Sequence, residues 1–260
     1  MINNPAAQKM SQVIALTPEE RAALAAISRR GTRVVRGTDI ILQGEVDECA
    51  FLIHDGWALR HRQLADGRRQ VLHFLVPGDW AGLTALMFPE SDHAVTTVTD
   101  AVVAALSLRD LATLFQSHPR LGLAIYWTAA QEEAIIAEHL VNVGRRSAYE
   151  RLGNLFLELL FRLQLVGRAD HRAFAFPVSQ AVVADSLGLT QVHVNRTLRR
   201  LHKDGFVAVS DRRVVILDQA GLEQALDFES AYLHMAGPPA WLRRRSAQRP
   251  AAGATPPLSP

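Results

Sequence analysis

Between residues 176 and 217 the apolar positions switch from a helical period to a turn, back to a helical period and then to short alternating runs, an order that predicts a winged helix-turn-helix. Ser179 is placed to cap a helix reaching about residue 187, Gly188 supplies a left-handed turn position, and Thr190 caps a second helix ending near Gly205. In that second helix Val194, Leu198 and Leu201 fall at i, i+4 and i+7 and share an inward face. Val192, Asn195, Arg196 and Arg199 fall on the opposite face, where a recognition helix meets base edges. Beyond Gly205, apolar runs at 206–209 and 214–217 flank Ser210-Asp211-Arg212-Arg213, as expected of a two-stranded wing whose basic tip lies near a phosphate.

The pattern elsewhere predicts two further kinds of structure. Thr17-Pro18-Glu19-Glu20 is a capping box with proline at the first helical position, so a helix is expected to about residue 28, preceded by a short loose tail. From 32 to 107 short β-rich runs are broken by Gly37, Gly44, Gly56, Gly67 and Gly78, and Asp66-Gly67 is a hairpin turn; this predicts an antiparallel barrel or jelly roll. A helix over 108–116 follows, then a long one over 120–143 with two apolar rows. One row holds Leu123, Trp127, Ala130, Ala134, Ala137 and Val141, the other Ala129, Glu133, Ile136, Leu140 and Val143. One row is expected to cover the β-domain and the other to meet the same helix of a second subunit. After Gly144, the expected hinge, Tyr149, Leu152, Phe156, Leu159 and Leu163 line one helix face that floors the next domain.

The chain thus reads as α+β: a jelly-roll sensor-like unit over 17–118, a dimerisation helix and hinge over 119–144, a winged helix-turn-helix over 145–235, and a disordered tail over 236–260. That tail is rich in Pro, Ala and Arg and includes Arg243-Arg244-Arg245.

Composition narrows the function. Of 260 residues, 48% are hydrophobic and 21% charged, an ordinary globular balance. The formal net charge is only +2, so affinity for DNA must come from local clustering of cations. A single cysteine, Cys49, excludes an intrachain disulfide and a cysteine-only metal or iron–sulfur site. No run approaches the roughly 18 apolar residues of a membrane span, and the opening residues lack a signal-peptide pattern; a cytoplasmic protein without membrane contact is expected. Catalysis is not expected either. Ser107, Ser179 and Ser186 have no nucleophile-elbow context, no lysine follows a phosphate-cradling glycine loop, and Glu132, Glu133 and Glu138 read as a solvated helix face. No metal or cofactor is called for.

The order of elements, and Leu187-Gly188-Leu189-Thr190-Gln191-Val192-His193-Val194-Asn195-Arg196-Thr197-Leu198 with Asp204-Gly205-Phe206 beyond, resembles the Crp/Fnr superfamily of bacterial transcription regulators. The resemblance implies a homodimer whose recognition helices enter successive major grooves of a two-fold symmetric duplex, β-rolls able to sense a signal, and RNA polymerase as a further partner. It places base-reading positions at Gln191, Val192, Asn195 and Arg196. With Ser179, Thr190, Arg199 and Arg213 these form the candidate DNA-binding set. Many relatives carry glutamate at the position of Val192; a carboxylate accepts from the cytosine amino group, whereas valine offers methyl contact, for example to thymine.

The candidate effector region is Trp80, Gly82, Leu83, Thr84 and His93. Cyclic-nucleotide receptors of the superfamily place a Gly-Glu pair there, followed by an arginine for the phosphate. Here Leu83 and Thr84 follow Gly82, and no Lys or Arg lies between Trp80 and Leu108. A buried phosphate without a cation is unfavourable by several kcal/mol, so cyclic AMP and cyclic GMP are not expected to bind, and the effector is an unknown small molecule or none. Two alternatives remain: a cyclic-nucleotide response through a non-standard pocket, or a β-roll interaction protein with weak DNA affinity.

Overall fold

The computed structural model describes residues 4–235; the expected tail over 236–260 lies outside them. The chain opens with α1 (Pro5–Ser11) and α2 (Pro18–Arg29). The capping box of α2 forms as read: Thr17 Oγ1 accepts from the Glu20 amide at 3.2 Å and Glu20 Oε2 accepts from the Thr17 amide at 2.8 Å. The loose tail expected before it is corrected by α1. Asn4 caps this helix, and Ala6, Ala7 and Met10 are buried in a cluster with Trp80, Leu121 and Ile125. Seven residues are too few to show a period or to be helical alone, so it is this packing that holds α1.

The β-rich region gives β1 (Thr32–Val34), β2 (Asp39–Ile41), β3 (Cys49–Asp55), β4 (Ala58–Gln63), β5 (Arg69–Leu75), β6 (Trp80–Ala81), β7 (Ala94–Thr97) and β8 (Ala101–Ser107). They pair into antiparallel sheets of order β1-β8-β3-β6 and β2-β7-β4-β5, which enclose Ile41, Ile53, Leu75, Val95 and Val103. The expected hairpin joins β4 to β5, with Gln63 opposite Arg69 and Gly67 at φ +85° in the turn. L-residues with side chains avoid that conformation.

Helices α3 (Leu108–Ser117), α4 (Pro119–Arg145) and α5 (Ala148–Leu165) follow, then β9 (Ala173–Ala175), α6 (Gln180–Leu187), α7 (Gln191–Lys203), β10 (Val207–Ser210), β11 (Arg213–Ile216) and α8 (Gln219–Leu226). A last turn, Ser230–Leu233, returns to α4, where the Gln131 side-chain amide donates to the Leu233 carbonyl.

On α4 the structure corrects the expected division of labour. Neither apolar row covers the roll. The buried face is Leu121, Ala124, Ile125, Thr128, Gln131, Ile135 and Asn142. Its polar members are satisfied: Thr128 donates to the Ile125 carbonyl at 2.6 Å, and Asn142 Oδ1 accepts from Arg146 and Asn154. Hydrogen-bonded polar groups can be buried, and a count of apolar positions misses such a face. Leu123, Tyr126, Leu140 and Val141 point outward instead. Nor are the glutamates all solvated. Glu133 is exposed, but Glu132 pairs with Arg60 of β4 at 3.2 Å, and Glu138 pairs with Arg146.

The roll and the C-terminal half share one core. Trp57, Phe74 and Val98 pack with Phe156, Phe176 and Leu187, and the Trp57 and Phe176 rings meet edge-on at 6.1 Å. At the rim Arg69 of β5 pairs with Asp185 of α6 at 2.7 Å.

Candidate DNA-binding interface

The helix-turn-helix is built by its caps. Ser179 Oγ accepts from the Val182 amide at 3.4 Å, Gly188 takes the left-handed conformation at φ 62°, ψ 40°, and Thr190 Oγ1 accepts from the His193 amide at 3.2 Å. These set the angle between α6 and α7. Val194 and Leu201 are fully buried beneath α7 and Leu198 is partly so; Thr197 joins them, a member of the inward face that the apolar count left out. Ser179 and Thr190 therefore act through the backbone at the two helix starts.

The outward face of α7 presents Gln191, Val192, Arg196 and Arg199 to solvent, with Val192 75% exposed. Asn195 is half-buried, its Nδ2 lying 3.5 Å from Gln180 Oε1 of α6. Arg200 is turned aside: its guanidinium lies 4.6 Å from the centre of the Tyr149 ring, while the Tyr149 hydroxyl donates to Asp204 at 3.0 Å. Burial, then the Asp204 carboxylate, pushes the Tyr149 phenol up to about 12. Arg200 thus braces α7 on α5.

The wing forms from β10 and β11, with Ser210 opposite Arg213. Asp211 at φ 48° and Arg212 at φ 57° make the tight turn that suits the strand twist of a hairpin. The sheet has a third strand that the two-stranded expectation omitted: β9 pairs with β11, Ala175 opposite Arg213. Arg213 is drawn to that side and pairs with Asp170 at 2.7 Å. Arg212, part of the expected basic tip but not of the candidate set, stands exposed there, and its carbonyl accepts from the Phe176 amide at 2.7 Å.

The candidate effector residues do not converge. Trp80 and Leu83 line a cavity of about 10 Å³ with Thr128 and Glu132, room for about one water molecule. Gly82, at φ 76°, is pressed so close to Ile41 that a Cβ would lie 2.7 Å from its Cδ1. Thr84 is exposed and His93 is buried beside Arg60, with Nδ1 at 3.2 Å from the guanidinium. Burial, then the Arg60 charge, lowers the His93 pKa and keeps it neutral. Burial also pushes the Cys49 thiol up, away from the reactive thiolate. Among the described residues no group of His, Cys, Asp and Glu is placed to hold a metal, and no helix is long and apolar enough to cross a membrane.

Sequence reasoning also missed a buried ion network behind the interface. Asp79 Oδ1 pairs with Lys9 of α1 at 2.6 Å, and its Oδ2 with Arg162 of α5 at 2.7 Å; Arg162 also bonds Glu158 at 2.9 Å, and Glu158 bonds His139 of α4 at 2.7 Å. Burial pushes the Asp79 carboxyl up, but Lys9 and Arg162 outweigh it and hold the pKa below the ordinary value. Glu158 and Arg162 at i, i+4 inside the apolar run of α5 were the one visible signal.

Comparison with known proteins agrees with this geometry. The cyclic nucleotide-binding domain family matches residues 32–118, and the Crp-like helix-turn-helix domain family matches residues 150–225. The nitrogen fixation regulation protein FixK of Rhizobium meliloti is 29% identical over 181 residues, covering 69% of this chain and 78% of FixK. The transcriptional activator protein FnrL of Cereibacter sphaeroides is 28% identical, with 74% and 78% covered. The solved structure of FixK2 from Bradyrhizobium japonicum superposes with a TM-score of 0.68 at 27% identity, over 77% of this chain and 98% of that one. With a jelly roll, a long helix and a winged helix-turn-helix in this order, and with relatives that are transcription regulators and not enzymes, the chain belongs to the Crp/Fnr superfamily of DNA-binding transcription regulators.

Proposed function

We propose that this regulator acts in the cytoplasm as a homodimer on a two-fold symmetric duplex, with Gln191, Val192, Asn195 and Arg196 facing base edges, Arg199 beside them, and the wing on the backbone. Amides at the Ser179- and Thr190-capped helix starts and the cations Arg212 and Arg213 serve phosphates. The working units are the roll over 17–118, the helix and hinge over 119–144 and the DNA-binding unit over 145–235; RNA polymerase is the further partner. The observation that carries this reading is the solvent-facing side of α7, with Val192 and two free-standing arginines in helical register. Selection of duplexes from a random pool tests it: enrichment of an inverted repeat supports the proposal, and recovery of no shared sequence refutes it.

Dimerisation follows from the outward row of α4, where Leu123, Tyr126, Leu140 and Val141 lie open with Ala130 and Ala137 between them. Covering such a row is favourable by about 25 cal/mol per Å², and the alanines let a second helix approach closely. Light scattering should give twice 28.6 kDa. Ala137→Glu should weaken the dimer and duplex binding together; a monomer that still binds the full site tightly would contradict the assignment.

Neither cyclic AMP nor cyclic GMP is expected to alter DNA affinity. The small cavity lies far below the roughly 300 Å³ of a ligand pocket; Lys9, which lines it, is paired with Asp79, and Arg60 is already engaged by Glu132. Calorimetry with either nucleotide should show no saturable heat. Micromolar binding with tighter DNA association would reverse this reading and require a cation supplied from the partner subunit, such as Arg60 or Arg145.

A further inference from the structure

His139 of α4 stands where three other parts of the chain meet. Its Nδ1 lies 3.1 Å from the carbonyl oxygen of Leu72 on β5, and its Nε2 lies 2.7 Å from Oε2 of Glu158 on α5. A carbonyl oxygen can only accept. The Glu158 carboxylate is likewise an acceptor, taking Arg162 on Oε1 at 2.9 Å and the Tyr232 hydroxyl on Oε2 at 3.3 Å. A neutral imidazole offers one donor and one lone pair, so it would set a lone pair against one of these oxygens. Only the imidazolium satisfies both contacts.

The groups around it are balanced without it. From α5 come Glu158 and Arg162; from the β5–β6 turn, Asp79; from α1, Lys9; from the C-terminal turn, Tyr232. Lys9 and Arg162 offset Asp79 and Glu158. On β5, His73 accepts at Nε2 from Arg162 at 3.0 Å, and its ring centre lies 6.0 Å from that of His139. Burial, then Arg162, drives the His73 pKa well below the ordinary value, so it stays neutral. Glu138 on α4 itself is held by Arg146. His139 is therefore the member of the cluster whose charge can change near neutral pH.

We propose that protonated His139 is the pin that positions the DNA-binding domain on the roll, and that its deprotonation loosens this domain and weakens DNA binding. The pin joins the roll through Leu72, the long helix through its own backbone, and the DNA-binding half through Glu158. A two-fold site needs its two recognition helices held about 34–36 Å apart, so a loosened domain must be re-ordered whenever it binds. The DNA arm of this inference rests on the reading of α7 given above; the protonation arm does not.

The sign is fixed by the surroundings. Burial alone would lower the His139 pKa, but the Glu158 charge and hydrogen bond, with the bond to Leu72, outweigh it and raise the pKa above the ordinary value. The contribution is complete below the ordinary imidazole pKa and is lost as pH rises through the raised folded value. Loosening thus belongs to the alkaline side.

Two measurements on the full-length chain test the proposal. Nitrogen-15 NMR of the imidazoles should show His139 protonated at both nitrogens at pH 7 and titrating above the ordinary range. A neutral His139 ring at pH 7 overturns the pin, and this readout needs no variant. The second measurement is affinity for the duplex recovered by selection, followed from pH 6.5 to 9 in the wild type and in His139→Gln. His193 and His202 of α7 are exposed and common to both proteins, so the comparison between the two isolates His139. The wild type should weaken severalfold more than the variant across the range. Superimposable pH profiles with a normally folded variant overturn the positioning role. A protein that prefers no duplex over scrambled DNA at any pH would instead refute the DNA reading and leave the NMR result standing.

Discussion

Arg196→Ala is expected to abolish the preference for the selected duplex while leaving general DNA affinity largely in place. Arg196 is exposed, nearly two turns past the Thr190 cap and on the face opposite the buried Val194 and Leu201, so nothing in the fold depends on it. A guanidinium there can bond O6 and N7 of one guanine, worth about 1–3 kcal/mol of discrimination per half-site, and a dimer applies that twice. Arg212→Ala at the wing tip should do the opposite, weakening all sequences alike and reducing the salt dependence by about one charge per subunit. Arg213, already held by Asp170, should show a smaller effect of the same kind. Competition binding against scrambled duplex at two salt concentrations separates these outcomes. If Arg196→Ala kept the preference and Arg212→Ala erased it, the wing would have to be the element that reads bases.

The largest expected effect on stability is at Arg162. Its guanidinium is buried and bonds Asp79, Glu158, the Phe74 carbonyl and His73, so it touches the roll and α5 at once. Arg162→Ala leaves carboxylates in the interior with part of their counter-charge gone. Breaking a buried pair in this way costs about 3–5 kcal/mol, to be read from the urea midpoint at constant slope. The contrast is Arg30→Ala, which removes a solvent-exposed partner of Asp110 and should change stability little. If Arg162→Ala unfolds with the wild-type midpoint, the network contributes no net stability and the shared apolar core alone joins the halves.

Where residues neighbouring in sequence decide the structure, the chain was readable. Thr17 with Glu20, Ser179, Gly188 and Thr190 each act within a few positions, and each set its helix boundary as the spacing predicted. The hairpin at Asp66-Gly67 is of the same kind. What escaped was decided at a distance. Helix α1 is held by Trp80 and Leu121, strand β9 by its pairing with β11, and the inner face of α4 by bonds from Leu233 and Asn154. Arg213 looked like a free wing cation because Asp170 lies 43 residues earlier, and only the folded sheet brings the two together. The Lys9–Asp79–Arg162–Glu158–His139 chain draws on segments far apart in the sequence, and only its Glu158–Arg162 link, at i, i+4, shows in the spacing.

The polar inner face of α4 has a mechanical consequence. A helix held only by apolar contacts can slide along its axis by a turn or rotate a little at modest expense, because dispersion contacts are not directional. Gln131, Glu132, His139 and Asn142 each have a named oxygen or nitrogen on another element to meet, at points spread over the C-terminal half of the helix. Sliding would break these bonds together. The helix is thereby indexed against its own subunit, and the row bearing Leu123, Tyr126, Leu140 and Val141 is offered to the outside in one fixed phase.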